Sequence, residues 1–235
     1  MVRTMRVGVV IAAAGKGERM GQPVPKQFLP LGGMPILLHT IRAFEHMSAL
    51  VSLLVAVHPR YLQDTERWCR ALRIHHLTAL VPGGSTRQAS VWNALQHPSI
   101  AHVDVVLVHD AVRPFVSQSL LNRLLAAVQH APAVVPALPL KDTIKQVESQ
   151  QVRCTLNRSE LVAVQTPQAF HRAVLVDAHR AAQQQGWIGT DDAALVEQIG
   201  VPVAVVPGEE HNLKITTPFD LHIAQLLLDH RQSLF

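Results

Sequence analysis

The sequence predicts an α/β protein with a single domain, built on a Rossmann-like, mostly parallel sheet that helices flank. Apolar runs rich in β-branched residues recur along its 235 residues, and most of them are continuous rather than alternating. Continuous apolar runs are typical of strands that are covered on both faces. Helical patterns lie between the runs, so we expect β-α-β units whose ligands bind at the carboxyl ends of the strands.

Seven apolar runs are the predicted strands. They cover residues 7–11, 50–57, 77–81, 103–108, 133–137, 161–164 and 203–206. Apolar residues that share one face indicate three helices between these runs. These residues are Leu37, Ile41 and Phe44 in the first helix, Leu62, Cys69 and Leu72 in the second, and Val91, Trp92 and Leu95 in the third.

Two later helices are predicted from their start signals. Thr190 can cap a helix that has acidic residues in its first turn and ends at Gly200. Thr217 can cap the last helix, with Pro218 in the first position and Asp220 three residues after the cap. This last helix is expected to pack on the core.

One polar interval, residues 138–156, interrupts the alternation. It shows no helical face, and it is too long for a structureless loop in a compact domain. We therefore predict a β-hairpin arm at about residues 138–157, which projects from the domain of residues 1–235 and packs on a partner subunit. A surface insertion without fixed structure is the alternative.

Charge and composition limit the classes of function. The formal net charge is only +4, and aromatic residues are 4% of the chain, so nucleic-acid binding is not expected. No apolar run approaches the roughly 18 residues of a membrane helix, and Cys69 and Cys154 form neither a metal motif nor a disulfide framework. Arg3 and Arg6 before an apolar run also resemble a secretory signal. A buried first strand fits better, because cleavage after Ala14 would leave the glycine loop as a bare terminus, and we expect a soluble cytoplasmic protein.

A glycine loop, AAAGKGERMGQPVPKQF at residues 12–28, follows the first strand. Its small residues allow a close approach to a ligand, and Arg19 and Lys26 add positive charge. The loop could be a plain turn or a dinucleotide site. However, Gly15, Gly17 and Gly21 form the pattern G-x-G-x-x-x-G, so no glycine stands at the third position of the usual dinucleotide fingerprint. No acidic residue ends the next strand either. Only a cradle for a triphosphate gives both cations a role.

Two further segments combine polar groups with a turn. Asp110 and Arg113 follow a predicted strand, where an acid can hold Mg²⁺ and an arginine can grip a phosphate, although the two could simply pair. Gly83, Gly84 and Ser90 resemble a second backbone cradle before a helix, or common turn chemistry. Each signal is weak by itself.

Lys214 and the histidines are open to structural explanations. Lys214 lies in a short apolar stretch before the last helix, where its side chain either extends to solvent or points into a polar site. The fourteen histidines show no metal-binding spacing, so we treat them as core or surface residues.

Seven segments taken together resemble the 2-C-methyl-D-erythritol 4-phosphate cytidylyltransferases of the non-mevalonate isoprenoid pathway. Their order and spacing are more specific than any one loop. The segments are AAAGKGERMGQPVPKQF, PGGSTRQASV, HDAVRPF, KDT, NRSELVAVQTPQAF, GTDDAALVE and NLKITTP. The resemblance implies a fold of the nucleotidyltransferase or glycosyltransferase-A type and a homodimer whose arms embrace.

The resemblance also implies a role for each matching residue. Catalysis would rest on Arg19, Lys26, Arg158 and Lys214. CTP would be bound by Ala13, Ala14, Gly15, Lys26, Gly83 and Ser90. The acceptor site would contain Asp110, Arg113, Thr143, Arg158, Thr166, Thr190 and Asp191, with Thr143 and Arg158 entering the partner's site. Asp110 is also the candidate ligand for Mg²⁺.

The implied reaction transfers a cytidylyl group from CTP to 2-C-methyl-D-erythritol 4-phosphate, with release of pyrophosphate. The nearest alternative is a cytidylyltransferase for another polyol phosphate, such as ribitol 5-phosphate, because pocket shape decides the acceptor. A nicotinamide-dependent oxidoreductase could use the glycine loop but would leave Lys26, Lys214 and the arm without a role. A catalytically inactive binding protein fits poorly, since Arg19, Lys26, Asp110 and Lys214 are all present.

Overall fold

The computed structural model describes residues 5–15 and 24–230, and the predicted alternation of strands and helices continues through both ranges. The strands are β1 (Val7–Ala13), β2 (Pro30–Leu31), β3 (Met34–Pro35), β4 (Leu50–Val57), β5 (Leu77–Pro82), β6 (Val105–Asp110), β7 (Ala133–Pro139), β8 (Lys145–Glu148), β9 (Gln151–Thr155), β10 (Val162–Val164), β11 (Gln168–His171) and β12 (Ala204–Pro207). The helices are α1 (Ile36–Arg42), α2 (Leu62–Ala71), α3 (Arg87–Leu95), α4 (Gln118–Ala127), α5 (Arg172–Gln185), α6 (Asp192–Gln198) and α7 (Pro218–Asp229).

The main sheet has β1 near its centre. β1 pairs in parallel with β4 on one side and β6 on the other, and β5 extends the sheet in parallel beyond β4. β11 lies antiparallel between β6 and β7, while β7 also pairs with β10 antiparallel and with β12 in parallel. The prediction of a mostly parallel sheet flanked by helices is confirmed. β11 was not predicted, because four residues that begin with a polar Gln168 give no clear strand pattern.

The continuous apolar runs have the expected cause. Along β1, Val9 and Ile11 pack in one buried cluster, and Val10 packs in a second cluster on the opposite face. β4 alternates in the same way, with Leu53 in the first cluster and Leu54 in the second. Because helices cover both faces of the sheet, nearly every residue of these strands is apolar, and the buried Ser52 of β4 hydrogen-bonds Ser99.

The helix starts agree with the predictions except at one residue. Thr217 forms a capping box with Asp220, and Pro218 occupies the first turn of α7, as predicted. The prediction that Thr190 caps α6 is wrong. Asp191 is the N-cap, and its side chain accepts a hydrogen bond from the backbone amide of Ala194. An aspartate carboxylate competes well for this position, since it also interacts favourably with the helix dipole.

The predicted hairpin is present as a separate two-stranded sheet of β8 and β9. All nine residues of these strands are exposed. Ser149 and Gln150 form the turn with positive φ values of 47° and 65°, the combination that favours a tight two-residue hairpin.

Within the described ranges, no helix is long and apolar enough to span a bilayer.

Candidate active site

A cleft of about 780 Å³ lies at the carboxyl ends of β1, β5 and β6. The predicted residues that line it are Ala13, Ala14, Gly15, Lys26, Gly83, Ser90, Asp110 and Lys214. These come from five separate stretches of the chain, and parallel strands bring such stretches to one edge of a sheet. Arg19 lies outside the described residues. The other predicted site residues, Arg113, Thr143, Arg158, Thr166, Thr190 and Asp191, stand back from this lining.

The first wall of the cleft is the turn after β1, which a buried glutamine holds in place. Gln27 Nε2 donates hydrogen bonds to the carbonyl of Ala13 at 2.7 Å and to the carbonyl of Gly15 at 2.8 Å. Gln27 is 3% exposed, and its neighbour Lys26 lines the cleft. With two carbonyls of the turn engaged by Gln27, the turn has a fixed shape before any ligand arrives. The sequence pattern pointed to Lys26 and did not single out Gln27.

The second wall is the turn between β5 and α3. A Cβ atom on Gly83 would lie 2.2 Å from the Cβ of Ala14, so only glycine allows the two turns to touch. Ser90 Oγ accepts a hydrogen bond from the amide of Gly84 at 3.0 Å and donates one to the carbonyl of Thr86 at 2.8 Å. The predicted turn is therefore present and lines the cleft, and the Ser90 hydroxyl braces it internally.

Asp110 stands at the centre of a cluster of cations. Its carboxylate lies 2.7 Å from Lys214 Nζ, 3.0 Å from Arg87 Nε and 3.8 Å from Arg113 Nε. Burial opposes the charged form, but the charges of Arg87 and Lys214 outweigh it and hold the pKa of Asp110 well below its usual range. Asp110 and Arg113 are therefore not a simple pair, and Lys214 points into the polar site rather than to solvent. Asp110 is also the last residue of β6, two residues beyond the predicted strand end.

The backbone of Asp110 is fixed from below by a chain of buried hydrogen bonds. Its amide donates to Thr166 Oγ1 at 3.0 Å, and Thr166 Oγ1 lies 3.1 Å from His109 Nδ1. His109 Nε2 lies 2.9 Å from the carbonyl of Arg113, so Nε2 carries the proton and Nδ1 accepts from the threonine hydroxyl. Burial lowers the pKa of His109 to about 4, against the hydrogen bond to the Arg113 carbonyl, which raises it.

Two residues that were expected near the acceptor are part of this support. Thr166 is 5% exposed, and its hydroxyl is engaged by the amide of Asp110 and the ring of His109. Arg113 is buried and donates from Nη1 to the carbonyl of Asn212 at 2.6 Å. Its Nε has no hydrogen-bond partner among the described residues. The structure places both residues behind Asp110, where they fix its geometry.

Arg87 links the cleft to the start of α6, and its role was not predicted. Its Nη1 lies 2.6 Å from Asp192 Oδ2, and its Nε donates to Asp110. Asp192 is buried and also bonds His179 Nε2 at 2.9 Å, and His179 stacks on Trp92. Burial raises the pKa of Asp192, but Arg87 and His179 lower it by more. The Arg87 guanidinium belongs to the first residue of α3, where the helix dipole disfavours positive charge. The carboxylates of Asp110 and Asp192 compensate for this.

The remaining predicted residues lie near the surface. Asp191 Oδ2 accepts from Gln168 Nε2 at 2.7 Å, and Thr190 is exposed. Thr143 and Arg158 are also exposed, at the base of the hairpin, where the Arg158 guanidinium hydrogen-bonds the carbonyl of Lys141. Within this chain these two residues do not join the cleft.

The described residues offer few donors for a metal ion. They contain no group of three or more histidine, cysteine, aspartate or glutamate side chains that could hold one. Asp110 is the one predicted metal ligand, and it faces the cleft. One carboxylate, already in contact with Arg87 and Lys214, makes no protein-only metal cage; it could hold Mg²⁺ only together with water and substrate phosphates, the ligands that this ion usually takes beside one or two carboxylates.

The sheet, the two glycine-lined turns and the cationic cleft define an α/β nucleotidyltransferase. A model of the 2-C-methyl-D-erythritol 4-phosphate cytidylyltransferase family matches residues 7–230. The chain belongs to this family.

Curated relatives and a solved structure match this chain along almost its whole length. The chain is 43% identical to the 2-C-methyl-D-erythritol 4-phosphate cytidylyltransferase of Geobacillus kaustophilus over 97% of its own length and 100% of the relative. It is 44% identical to that of Bacillus mycoides over 94% of its length and 96% of the relative. The crystal structure of the Thermus thermophilus enzyme is 39% identical and superposes with a TM-score of 0.80, covering 96% of this chain and 100% of that one.

Proposed function

We propose that this cleft transfers the cytidylyl group of CTP to 2-C-methyl-D-erythritol 4-phosphate, forming 4-diphosphocytidyl-2-C-methyl-D-erythritol and pyrophosphate for isoprenoid biosynthesis. The observation that carries the proposal is the contact of Lys214 with Asp110 at 2.7 Å in the same cleft as Lys26 and both glycine turns. Two anionic substrates must meet there, so a site rich in cations suits the reaction.

The reaction begins with an acceptor that needs no activation by a base. A phosphate monoester carries nearly two negative charges near neutral pH, because its second pKa is about 6. One of its oxygens attacks the α-phosphorus of CTP in line, and the bond from that phosphorus to the bridging oxygen of the β-phosphate breaks. The electron pair leaves with pyrophosphate. The buried neutral His109 is therefore not required as a base.

The chain's own groups position the reactants and stabilise charge. The turns at Gly15 and Gly83 would hold the triphosphate and the cytidine, with Lys26 beside the phosphates. Arg19, which lies outside the described residues, is proposed from the sequence to act with Lys26. Lys214 would position the acceptor phosphate, and its contact with Asp110 keeps it over the cleft.

Mg²⁺ is proposed as the cofactor, with Asp110 holding it together with substrate phosphates. When bound, the ion would neutralise charge on the triphosphate and polarise the phosphorus that is attacked. Chelation of divalent cations is expected to abolish pyrophosphate release. Asp110→Asn is expected to raise the Mg²⁺ concentration needed for half-maximal activity, which a titration of the metal measures.

A homodimer is proposed because two expected acceptor residues of the chain lie outside its own cleft. Thr143 and Arg158 are exposed at the base of the hairpin. Val147 and Val152 face each other across the hairpin and are 58% and 62% exposed, an apolar surface that a second copy of the chain would cover. The arm of one subunit would then bring its Arg158 to the cleft of the partner.

We also infer a cytoplasmic location. Cys69 and Cys154, the two cysteines of the chain, are both free thiols. Unpaired cysteines are typical of reducing compartments. Cell fractionation followed by detection of the protein tests this location.

The test of the function is a panel of pyrophosphate-release assays. The purified protein is offered each of the four nucleoside triphosphates, with methylerythritol phosphate or ribitol 5-phosphate as the acceptor. We expect release with CTP and methylerythritol phosphate. Equal or faster release with ribitol 5-phosphate would overturn the acceptor, and no release with any pair would overturn the reaction.

A further inference from the structure

The segment between α5 and α6, residues 187–191, has little structure of its own. Gly186 ends α5 in the left-handed conformation with φ of 70°, and the Trp187 amide bonds back to the carbonyl of Ala182. Ile188 is 86% exposed, and Thr190 is exposed as well. A segment of this kind needs contacts from elsewhere if its residues are to take a fixed position.

Gln88, in the first turn of α3, supplies two such contacts. Its Nε2 donates to the carbonyl of Trp187 at 3.0 Å, and its Oε1 accepts from the amide of Gly189 at 3.1 Å. The side-chain amide therefore engages the backbone on both sides of Ile188. An Asn would be one methylene shorter, and an apolar residue could satisfy neither backbone group.

The same helix turn is fixed to the nucleotide side of the cleft. Thr86 caps α3 through the amide of Ala89, and Ser90 braces the turn that contains Gly84. Arg87, next to Gln88, bridges Asp110 and Asp192. The first turn of α3 thus contacts the glycine turn, the carboxylate of Asp110, the segment of residues 187–191 and the first residue of α6.

We propose that Gln88 is a positioning residue for the acceptor, which it serves by fixing the backbone of Trp187 and Gly189, directly before Thr190 and Asp191. The inference rests on the proposed function and on the expectation from the sequence that Thr190 and Asp191 belong to the acceptor site. Gln88 touches neither substrate. Its removal loosens Thr190 and leaves both glycine turns in place.

The test compares Gln88→Ala and Gln88→Glu with wild type and with Gln63→Ala, an exposed glutamine on the remote helix α2. KM is measured separately for methylerythritol phosphate and for CTP, together with kcat. Gln88→Ala is expected to raise the KM for methylerythritol phosphate about tenfold, as the loss of two neutral hydrogen bonds can, with the KM for CTP within about twofold. Gln88→Glu keeps an acceptor for the Gly189 amide but places a second acceptor against the Trp187 carbonyl, so it should not restore the KM for methylerythritol phosphate.

A second measurement separates positioning from general damage. Hydrogen exchange of the Gly189 amide should accelerate in Gln88→Ala, while the amides of β1 and β6 keep their protection. Faster exchange with an unchanged KM for the acceptor would overturn the proposal, and so would equal rises in both KM values. Failure of the proposed function itself is distinct, because wild type and Gln63→Ala would then also fail to release pyrophosphate with CTP and methylerythritol phosphate.

Discussion

The cleft and the hairpin differ in how their charged groups are held. In the cleft, the Asp110 carboxylate is 8% exposed and is surrounded by Lys214, Arg87 and Arg113. In the hairpin, Arg153 and Glu148 lie 3.6 Å apart and are both largely exposed. Charges in a buried, fixed arrangement act strongly on a substrate, whereas exposed pairs contribute little. The fold therefore fixes the charged groups of the cleft in a buried arrangement and leaves those of the hairpin exposed to solvent.

The strongest test of the prepared cleft removes its proposed catalytic cation. Lys26→Ala is expected to lower kcat by a hundredfold to a thousandfold, the loss found when one preorganised stabilising group is removed. Arg70→Ala, which removes an exposed cation from α2, should leave kcat unchanged. Single-turnover kinetics on folded protein make the measurement, and near-normal turnover of the Lys26 variant would sink the assignment.

The buried support beneath Asp110 should make folding sensitive to mild acid. The pKa of His109 falls from 6.5 to about 4 on folding. Between those pH values the unfolded chain binds a proton that the folded chain does not, so the free energy of unfolding falls as pH falls. The contribution lost between pH 6.5 and 5 is about 2 kcal/mol.

Urea unfolding at pH 7, 6 and 5 in a chelator, with His109→Gln as the matched variant, measures this contribution. The lowered pKa values of Asp110 and Asp192 act in the same direction, but only as pH falls towards and below their usual value of 3.8. The pH dependence of wild type should therefore exceed that of the variant in this window. Equal slopes would show that His109 does not titrate as proposed.

Arg158, at the base of the hairpin, should affect the activity of the partner's cleft and not that of its own chain. Arg158→Ala is expected to lower activity by about tenfold or more, as loss of a hydrogen bond to a charged group does. A heterodimer of one Lys26→Ala chain and one Arg158→Ala chain, purified through two different tags, separates the possibilities. If Arg158 acts across the dimer, one of two sites is intact and about half of the wild-type activity remains. If Arg158 acts within its own chain, the heterodimer is nearly inactive.

The smallest effect is expected on the exposed apolar surface of the hairpin. Val152→Ser should change the free energy of unfolding of the chain by less than about 0.5 kcal/mol, because surface substitutions are usually near neutral. It should weaken self-association, measured by sedimentation at several concentrations. Val51→Ser, at a valine that is 54% exposed on β4, is the control and should leave association unchanged. If both variants self-associate as strongly as the wild type does, the hairpin is not part of the interface.

The strand pattern and the motif positions were predictable because both are local properties of the chain. The apolar runs indicated where β1, β4 and β7 lie, and the order of motifs identified the family. The small residues and cations of the glycine turns marked the cleft. The catalytic and binding roles of all the predicted site residues stay predictions. Arg19 lies outside the described residues, and Thr143 and Arg158 do not line the cleft of the described chain.

The supports of the site were not predictable in the same way. Gln27, Gln88 and Arg87 act through hydrogen bonds to groups that lie elsewhere in the chain, and Arg87 and Asp192 are 105 residues apart. Such a bond depends on distances of about 3 Å and on direction. No local pattern of residue types carries that information.

The sequence by itself determined the fold class, the family and the set of chemical groups, because hydrophobic periodicity and motif order are written along the chain. Only the tertiary structure decided that Asp110 meets Lys214 and Arg87 as well as Arg113, and that Asp191 rather than Thr190 caps α6. The physical reason is the precision that each feature requires. The burial pattern of a strand or helix is averaged over many residues, whereas an ion pair or a helix cap is gained or lost when its atoms move by an ångström.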